Sequence, residues 1–339
     1  MPVWQGVASV WRGRLVEGEG SRPLQLLGDI RFGVVTAWPD EDWHSRRLVE
    51  ACARHGPTLA LDPARLSATI GSDGLVVRHG DLDVTRLNVV LLARGLGRSG
   101  DVDVQFELYR ELEESGTLVA NRIDALLAAQ DKLRSSWLLQ RAGIPTPQAA
   151  VAQTRREALD ALATLGDAVV KPLTGSLGEG VERIRSDRAG RNEVVRRMER
   201  EGAVYLQSFV PNPGRDARLF VVGARVEGAI QRTAPRGEWI ANVARGGTAL
   251  PLAVDAGLAA LAVAAARALG LDWAGVDVVV GPGGPSVIEV NGNPSWAAVH
   301  EVTGKDMAEP IAEHVLARAL RRTTRVKSVS KDVRATRHG

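Results

Sequence analysis

WAGVDVVVGPGGPSVIEVNGNP, residues 273–294, is the stretch from which the fold can be read. Two apolar, β-prone runs, Val276–Val280 and Val287–Val290, flank a Gly/Pro turn centred near Gly283, which predicts a hairpin. Folding about that centre sets Asp277 opposite Glu289, because both are equally far from it. Directly opposed residues have Cβ atoms about 4.5–5.5 Å apart. Two like charges so placed on apolar strands are destabilising unless something cationic lies between them. Asn291 follows Glu289 by two residues and therefore shares its face. Two carboxylates and an amide oxygen are hard donors that suit Mg²⁺ or Mn²⁺ carried by a phosphate-bearing substrate. The alternative is a solvated strand face that holds nothing.

Upstream, DAVVKPLTGSLGEGVERI (167–184) reads as a buried strand delivering Lys171, then a turn rich in glycine (Gly175, Ser176, Gly178, Gly180), then another strand. Glycines let backbone N–H groups wrap phosphate oxygens, and a lysine adds a point charge. No helix follows these glycines, so neither a P-loop nor a dinucleotide fingerprint is present. A plain glycine hairpin is the competing reading. Lys132 falls inside a predicted helix over 123–143, and Asp216 and Arg218 open an apolar strand. A solvated helix face and a strand end in water are their ordinary explanations.

Composition sets the bounds. The chain has 339 residues, 45% hydrophobic and 24% charged, as expected of a globular protein with more than one compact layer. Seven Lys/Arg against one Asp in residues 321–339 leave the rest of a +3 chain at −3, which is not the footprint of a nucleic-acid-binding domain. Of 43 basic residues only five are Lys (132, 171, 305, 327 and 331), so a Lys inside a folded element marks a place where a slim ammonium is wanted. One cysteine, Cys52, cannot form an internal disulfide, and its apolar neighbours make it a core residue. No apolar run reaches the roughly 18 residues of a membrane span, and no signal peptide is evident. The expectation is a cytoplasmic protein without membrane or nucleic-acid partners.

The organisation reads as α/β. Residues 1–29 show no period and stand as an extension or strand-rich cap. Residues 30–120 alternate strand, helix and strand as in a parallel doubly wound layer, with a helix opened by Pro39-Asp40 and a hairpin within 71–83. Residues 121–207 and 208–320 form two further α+β units. The alanine-rich helix after Asp255 is apolar all round and expected to be buried. Residues 321–339 are expected to be a disordered basic tail.

Taken in order, several segments carry a resemblance to a known family: RGLG (94–97), QDKLRSSWLLQRAGIPTP (130–147), VVKPLTGSLGEGV (169–181), YLQSFV (205–210), GRDARLFVVG (214–223), NVARGG (242–247), AGVDVV (274–279) and IEVNGNPSW (288–296). Their order and spacing resemble the RimK-like amino-acid ligases of the ATP-grasp superfamily, over about residues 30–320. The resemblance implies an ATP-grasp fold, a Rossmann-like N-terminal layer followed by two α+β subdomains clasping ATP. It assigns Lys132 and Lys171 to the ATP phosphates and makes the loop at Gly175, Ser176, Gly178 and Gly180 a lid. It places adenine against the main chain of Ser208, Phe209 and Val210, with Gln207 and Asp216 nearby, and Asn242 near the phosphates. Asp277, Glu289 and Asn291 match the ligands of two Mg²⁺ or Mn²⁺ ions, and Arg218 and Arg245 the catalytic cations.

The implied activity is an ATP-dependent carboxylate–amine ligase working through an acyl phosphate. It adds glutamate to a pterin-type small molecule or a protein C-terminal carboxylate. A peptide macrocyclase and a non-catalytic ATP-binding scaffold are the alternatives, and a homodimer or tetramer is the implied assembly. Two departures from the family pattern stand out: Ser208, where Glu is frequent, and Ile240-Ala241 before Asn242, where Arg with Ser or Thr is frequent. The second leaves the added amino acid open. Trp296, beside the hairpin, is either a flat wall for an aromatic acceptor or core.

Overall fold

The computed structural model describes residues 30–72, 74–173, 180–243 and 246–335, with side chains through 322. The expected N-terminal extension (1–29), Gly175, Ser176, Gly178 and Arg245 lie outside the described residues. The chain divides into two compact units, residues 120–311 and residues 1–119 together with 312–339.

In the first unit, β1 (Phe32–Thr36), β2 (Thr58–Leu61), β6 (Val89–Arg94) and β7 (Leu118–Ala120) make a sheet in the order β2-β1-β6-β7. β1 runs parallel to both β2 and β6, and its five residues are all buried. Strands buried on both faces read as continuous Val/Leu runs, which is why FGVVT and VVLLAR do not alternate. Helix α1 (Trp43–Ala53) starts later than Pro39-Asp40 suggested, because Asp42 accepts a hydrogen bond from the Ser45 N–H and caps it. The expected hairpin is a three-stranded sheet of its own, β3 (Leu66–Gly71), β4 (Gly74–His79) and β5 (Leu82–Asp83). Helix α2 (Val102–Glu114) connects β6 to β7.

The second unit opens with two helices where one was expected, α3 (Ile123–Gln130) and α4 (Lys132–Arg141). Asp131 ends the first and caps the second, accepting from the Arg134 N–H. A short polar side chain that competes for backbone N–H groups favours such a break. The strands β8 (Ala149–Ala152), β9 (Asp167–Lys171), β10 (Glu182–Arg185) and β11 (Val204–Ser208) form an antiparallel sheet in the order β10-β9-β11-β8. Helices α5 (Arg155–Leu165) and α6 (Arg188–Glu201) bury Leu162 and Val194 in its core. The second sheet, β14-β13-β12-β15-β16, contains β12 (Arg215–Val222), β13 (Arg225–Thr233), β14 (Thr248–Pro251), β15 (Trp273–Gly281) and β16 (Gly284–Asn291).

Helix α7 (Ala256–Ala268) is capped by Asp255 as expected, yet it buries only Ala262, Ala265 and Ala266 of its own residues. Alanine carries little apolar area, so an alanine-rich helix can leave one side in water at small cost. After α8 (Ala297–Thr303), helix α9 (Ala308–Ala335) takes in most of the stretch expected to be a disordered tail. Helix propagation is cheap once a turn is nucleated by packing, and residues 311–335 contain neither Gly nor Pro to stop it.

Candidate active site

The β15–β16 register sets Asp277 opposite Glu289, as the hairpin arithmetic required, with a bulge immediately after Asp277. The register also pairs charged residues across neighbouring strands: Arg218 of β12 faces Asp277, and two residues along Asp216 faces Arg232 of β13. Arg218 grips both oxygens of Asp277, Nη2 to Oδ2 at 2.7 Å and Nε to Oδ1. Arg232 clasps Asp216 at 2.6 and 2.9 Å and reaches Asp277 Oδ2 at 3.0 Å. These guanidinium groups compensate Asp277 from the β12 side, away from Glu289. Arg232 was missed by the sequence reading. Its only signal was a charged residue at the end of an apolar strand.

Electrostatics follow burial. Burial opposes ionisation of Asp277, which is 2% exposed, but Arg218 and Arg232 outweigh it and hold the carboxyl below its ordinary range. For Asp216, burial wins over Arg232 and pushes the carboxyl up. Gly275 makes room for this arrangement, since a Cβ there would stand 2.8 Å from Pro294 Cβ and 3.3 Å from Arg218 Cδ.

Two lysines converge on the hairpin from the other sheet and its helix. Lys171 ends β9 and donates from Nζ to Gln207 Oε1 at 2.6 Å. Burial lowers its pKa, with Lys132 adding to that effect while Glu289 and Asp277 oppose it. Lys132 is lowered by burial and raised by Glu289 and Asp131. It is the first residue of α4, not a mid-helix residue as expected, and its N–H donates to the Leu173 carbonyl at 3.3 Å. Two partly desolvated ammonium groups that feel each other and one carboxylate are suited to polyanionic oxygens, which would relieve their repulsion.

Gln207, expected beside adenine, is spent on orienting Lys171, and Asp216 is spent on Arg232. The Ser208 and Phe209 N–H groups donate to the Gln148 and Asp167 carbonyls at 2.8 and 2.9 Å. The Phe209 ring lies under the Arg183 guanidinium (3.6 Å) and meets Trp239 edge-on. Asn242 lies in the short segment before β14. Gly180 has a positive φ of 64°, and its carbonyl accepts from Arg197 Nη1 at 2.5 Å. Buried Arg197 also pairs with Glu193, so it anchors the C-terminal foot of the glycine segment. Trp296 is core: it is 1% exposed, donates from Nε1 to Asp306 and packs edge-on against Phe220.

The donor set fits a divalent cation. Asp277, Glu289 and Asn291 offer hard oxygens, and the buried Asn291 Nδ2 has no hydrogen-bond partner among the described residues. Turning that amide would cost no bond and would present its oxygen. Asp277 accepts three hydrogen bonds of the roughly four a carboxylate can take, leaving capacity on Oδ1. Among the described residues no group of three His, Cys, Asp or Glu side chains comes together. Two carboxylates and an amide therefore suit a cation that brings its other ligands on a phosphate.

Residues 129–315 match the RimK-like ATP-grasp domain family. The chain is 32% identical over 319 residues to the tetrahydromethanopterin:alpha-L-glutamate ligase of Methanosarcina acetivorans, covering 84% of this chain and 98% of that protein. It is 33% identical over 279 residues to a probable alpha-L-glutamate ligase of Stenotrophomonas maltophilia, covering 80% and 94% of the two chains. Among solved structures, the ATP-grasp ligase PsnB complexed with minimal precursor, Mg and ADP superposes with a TM-score of 0.65 at 20% identity, over 85% of this chain and 98% of that one.

Proposed function

From the premise that this chain belongs to the RimK-like ATP-grasp family, we propose that it is an ATP-dependent carboxylate–amine ligase that adds L-glutamate to a pterin-type acceptor. The observation that carries the reading is the convergence of Lys132 and Lys171 on Glu289, opposite Asp277 and beside Asn291. The relative from Methanosarcina supports both the amino acid and the acceptor class.

In this mechanism Lys132 and Lys171 hold the ATP phosphates, Gln207 fixing the second ammonium in place. Asp277, Glu289 and Asn291 would hold two Mg²⁺ or Mn²⁺ ions, which neutralise phosphate charge when bound. The acceptor carboxylate attacks the γ-phosphorus and ADP leaves, giving an acyl phosphate. The glutamate amine then attacks the acyl carbon, phosphate departs, and an amide remains. Arg218, locked by Asp277, presents a fixed cation to charge that develops in both steps. The resemblance further gives Arg245 a catalytic role and gives the segment at Gly175, Ser176, Gly178 and Gly180 the role of excluding water that would hydrolyse the acyl phosphate.

The test is incubation with Mg-ATP, labelled glutamate and a carboxylated pterin. Mass spectrometry should show a labelled amide together with ADP and phosphate, and Glu289→Gln should make none. Product from the Glu289→Gln protein sinks the metal assignment. ATP binding without any product sinks the ligase reading.

A further inference from the structure

The RGLG motif lies outside the unit that carries the lysines and carboxylates, and the mechanism leaves it without a task. Its place in the first unit is distinctive. β1 connects to β2 on one side, and the chain then crosses to β6 on the other, so the sheet order reverses between β1 and β6. Ligands of open α/β sheets bind outside the carboxyl ends of strands at such a point. Here the carboxyl ends are Thr36 and Arg94, which face each other. Val35 pairs with Leu92 but Thr36 with Arg94, so Ala93 is an extra residue in β6. A bulge of this kind re-aims the following side chain.

The re-aimed side chain is Arg94. Its Nε is buried and has no hydrogen-bond partner among the described residues. The nearby carboxylate, Asp42, spends its oxygens on the Ser45 N–H (2.7 Å), the Ser45 hydroxyl (2.9 Å) and His44 (3.4 Å). It contributes charge to Arg94 without an ion pair among the described residues. An incompletely bonded guanidinium at a crevice invites a two-oxygen anion.

A flat wall stands next to it. Trp38 follows β1, and its ring abuts Gly95, where a Cβ would come within 3.0 Å of the indole and 2.5 Å of Ala37 Cβ. Gly95 has a φ of 72°, so this position demands glycine twice over. The exposed Arg98 guanidinium stacks on the same ring at 4.5 Å. Gln105 of α2 holds the loop, accepting from the Gly97 N–H at 2.9 Å and donating to the Ser99 carbonyl.

We infer that this crevice binds a carboxylate carried on a planar ring, with Arg94 pairing the carboxylate and Trp38 and Arg98 packing the ring. The crevice does not rest on the ligase reading above.

The experiment is calorimetric titration of the full chain with pterin-6-carboxylate and with pterin, the same ring lacking the carboxylate. The unaltered protein should favour the carboxylate about tenfold or more, the size of a charge-assisted hydrogen bond. Arg94→Gln should bring the two affinities together, Trp38→Leu should weaken both probes alike, and Arg98→Gln should weaken them less. Unchanged affinity for Mg-AMPPNP shows that each variant is folded. No preference in the unaltered protein, no binding of either probe, or a preference that survives Arg94→Gln overturns the inference. Absence of amide product with the preference intact overturns the ligase reading and leaves the crevice standing.

Discussion

Burial opposes the charge on Lys171, and neighbouring Lys132 adds to that effect. The sign of the linkage follows. A lysine whose folded pKa is depressed binds fewer protons folded than unfolded, and stability then rises with pH between the folded value and the ordinary value near 10.4. Lys171→Met should therefore abolish nucleotide binding while leaving the ligand-free melting temperature equal or higher. A clear fall in that temperature would mean that the Lys171–Gln207 bond stabilises more than desolvation costs. Asp277 behaves oppositely. Removing its charge strands Arg218 and leaves Arg232 to Asp216 alone, so Asp277→Asn should destabilise the fold by about 3–5 kcal/mol, as breaking a buried pair does. Urea unfolding reads this directly, and it makes Glu289→Gln the cleaner probe of catalysis.

At the level of elements, Asp131 sets the position of Lys132. By ending α3 and capping α4 it makes Lys132 the first residue of a helix, tied through its N–H to Leu173. Asp131→Ala should cost about 1 kcal/mol, the worth of an N-cap. It should also raise the KM for ATP more than it changes the KM for glutamate, and equal effects on both would reduce Asp131 to a structural cap. The hairpin and the break at Asp131 differ in legibility for a physical reason. Period-two alternation about a Gly/Pro turn dictates which residues face each other, whereas a helix break depends on whether an aspartate prefers its own backbone to water. Continuous helical periodicity across 123–143 concealed that choice.

Across the whole molecule, ion-paired and capping carboxylates set the acid limit. Burial opposes ionisation of Asp42, but the Ser45 hydrogen bonds together with His44 and Arg94 outweigh it; Thr85 and Arg183 do the same for Asp83 and Asp167. All three, and Asp277, titrate below their ordinary range. Their stabilisation is present above about pH 4, the unfolded value, and is lost as pH falls through the folded ones. The urea midpoint should thus drop steadily below pH 4, and Asp167→Asn should flatten part of that slope. A midpoint constant down to pH 3 would contradict these shifts. The amino-acid order alone determined the α/β class, the facing of Asp277 and Glu289, the two telling lysines in an arginine-rich chain and the RGLG motif, because all of these rest on local periodicity, turn chemistry and composition. Only the tertiary structure decided that Arg232 bridges Asp216 and Asp277, that Gln207 serves Lys171, that Trp296 is core and that a bulge turns Arg94 into a crevice. Those outcomes depend on which strands become neighbours, and strand neighbours are chosen by the packing of the whole sheet rather than by any one segment.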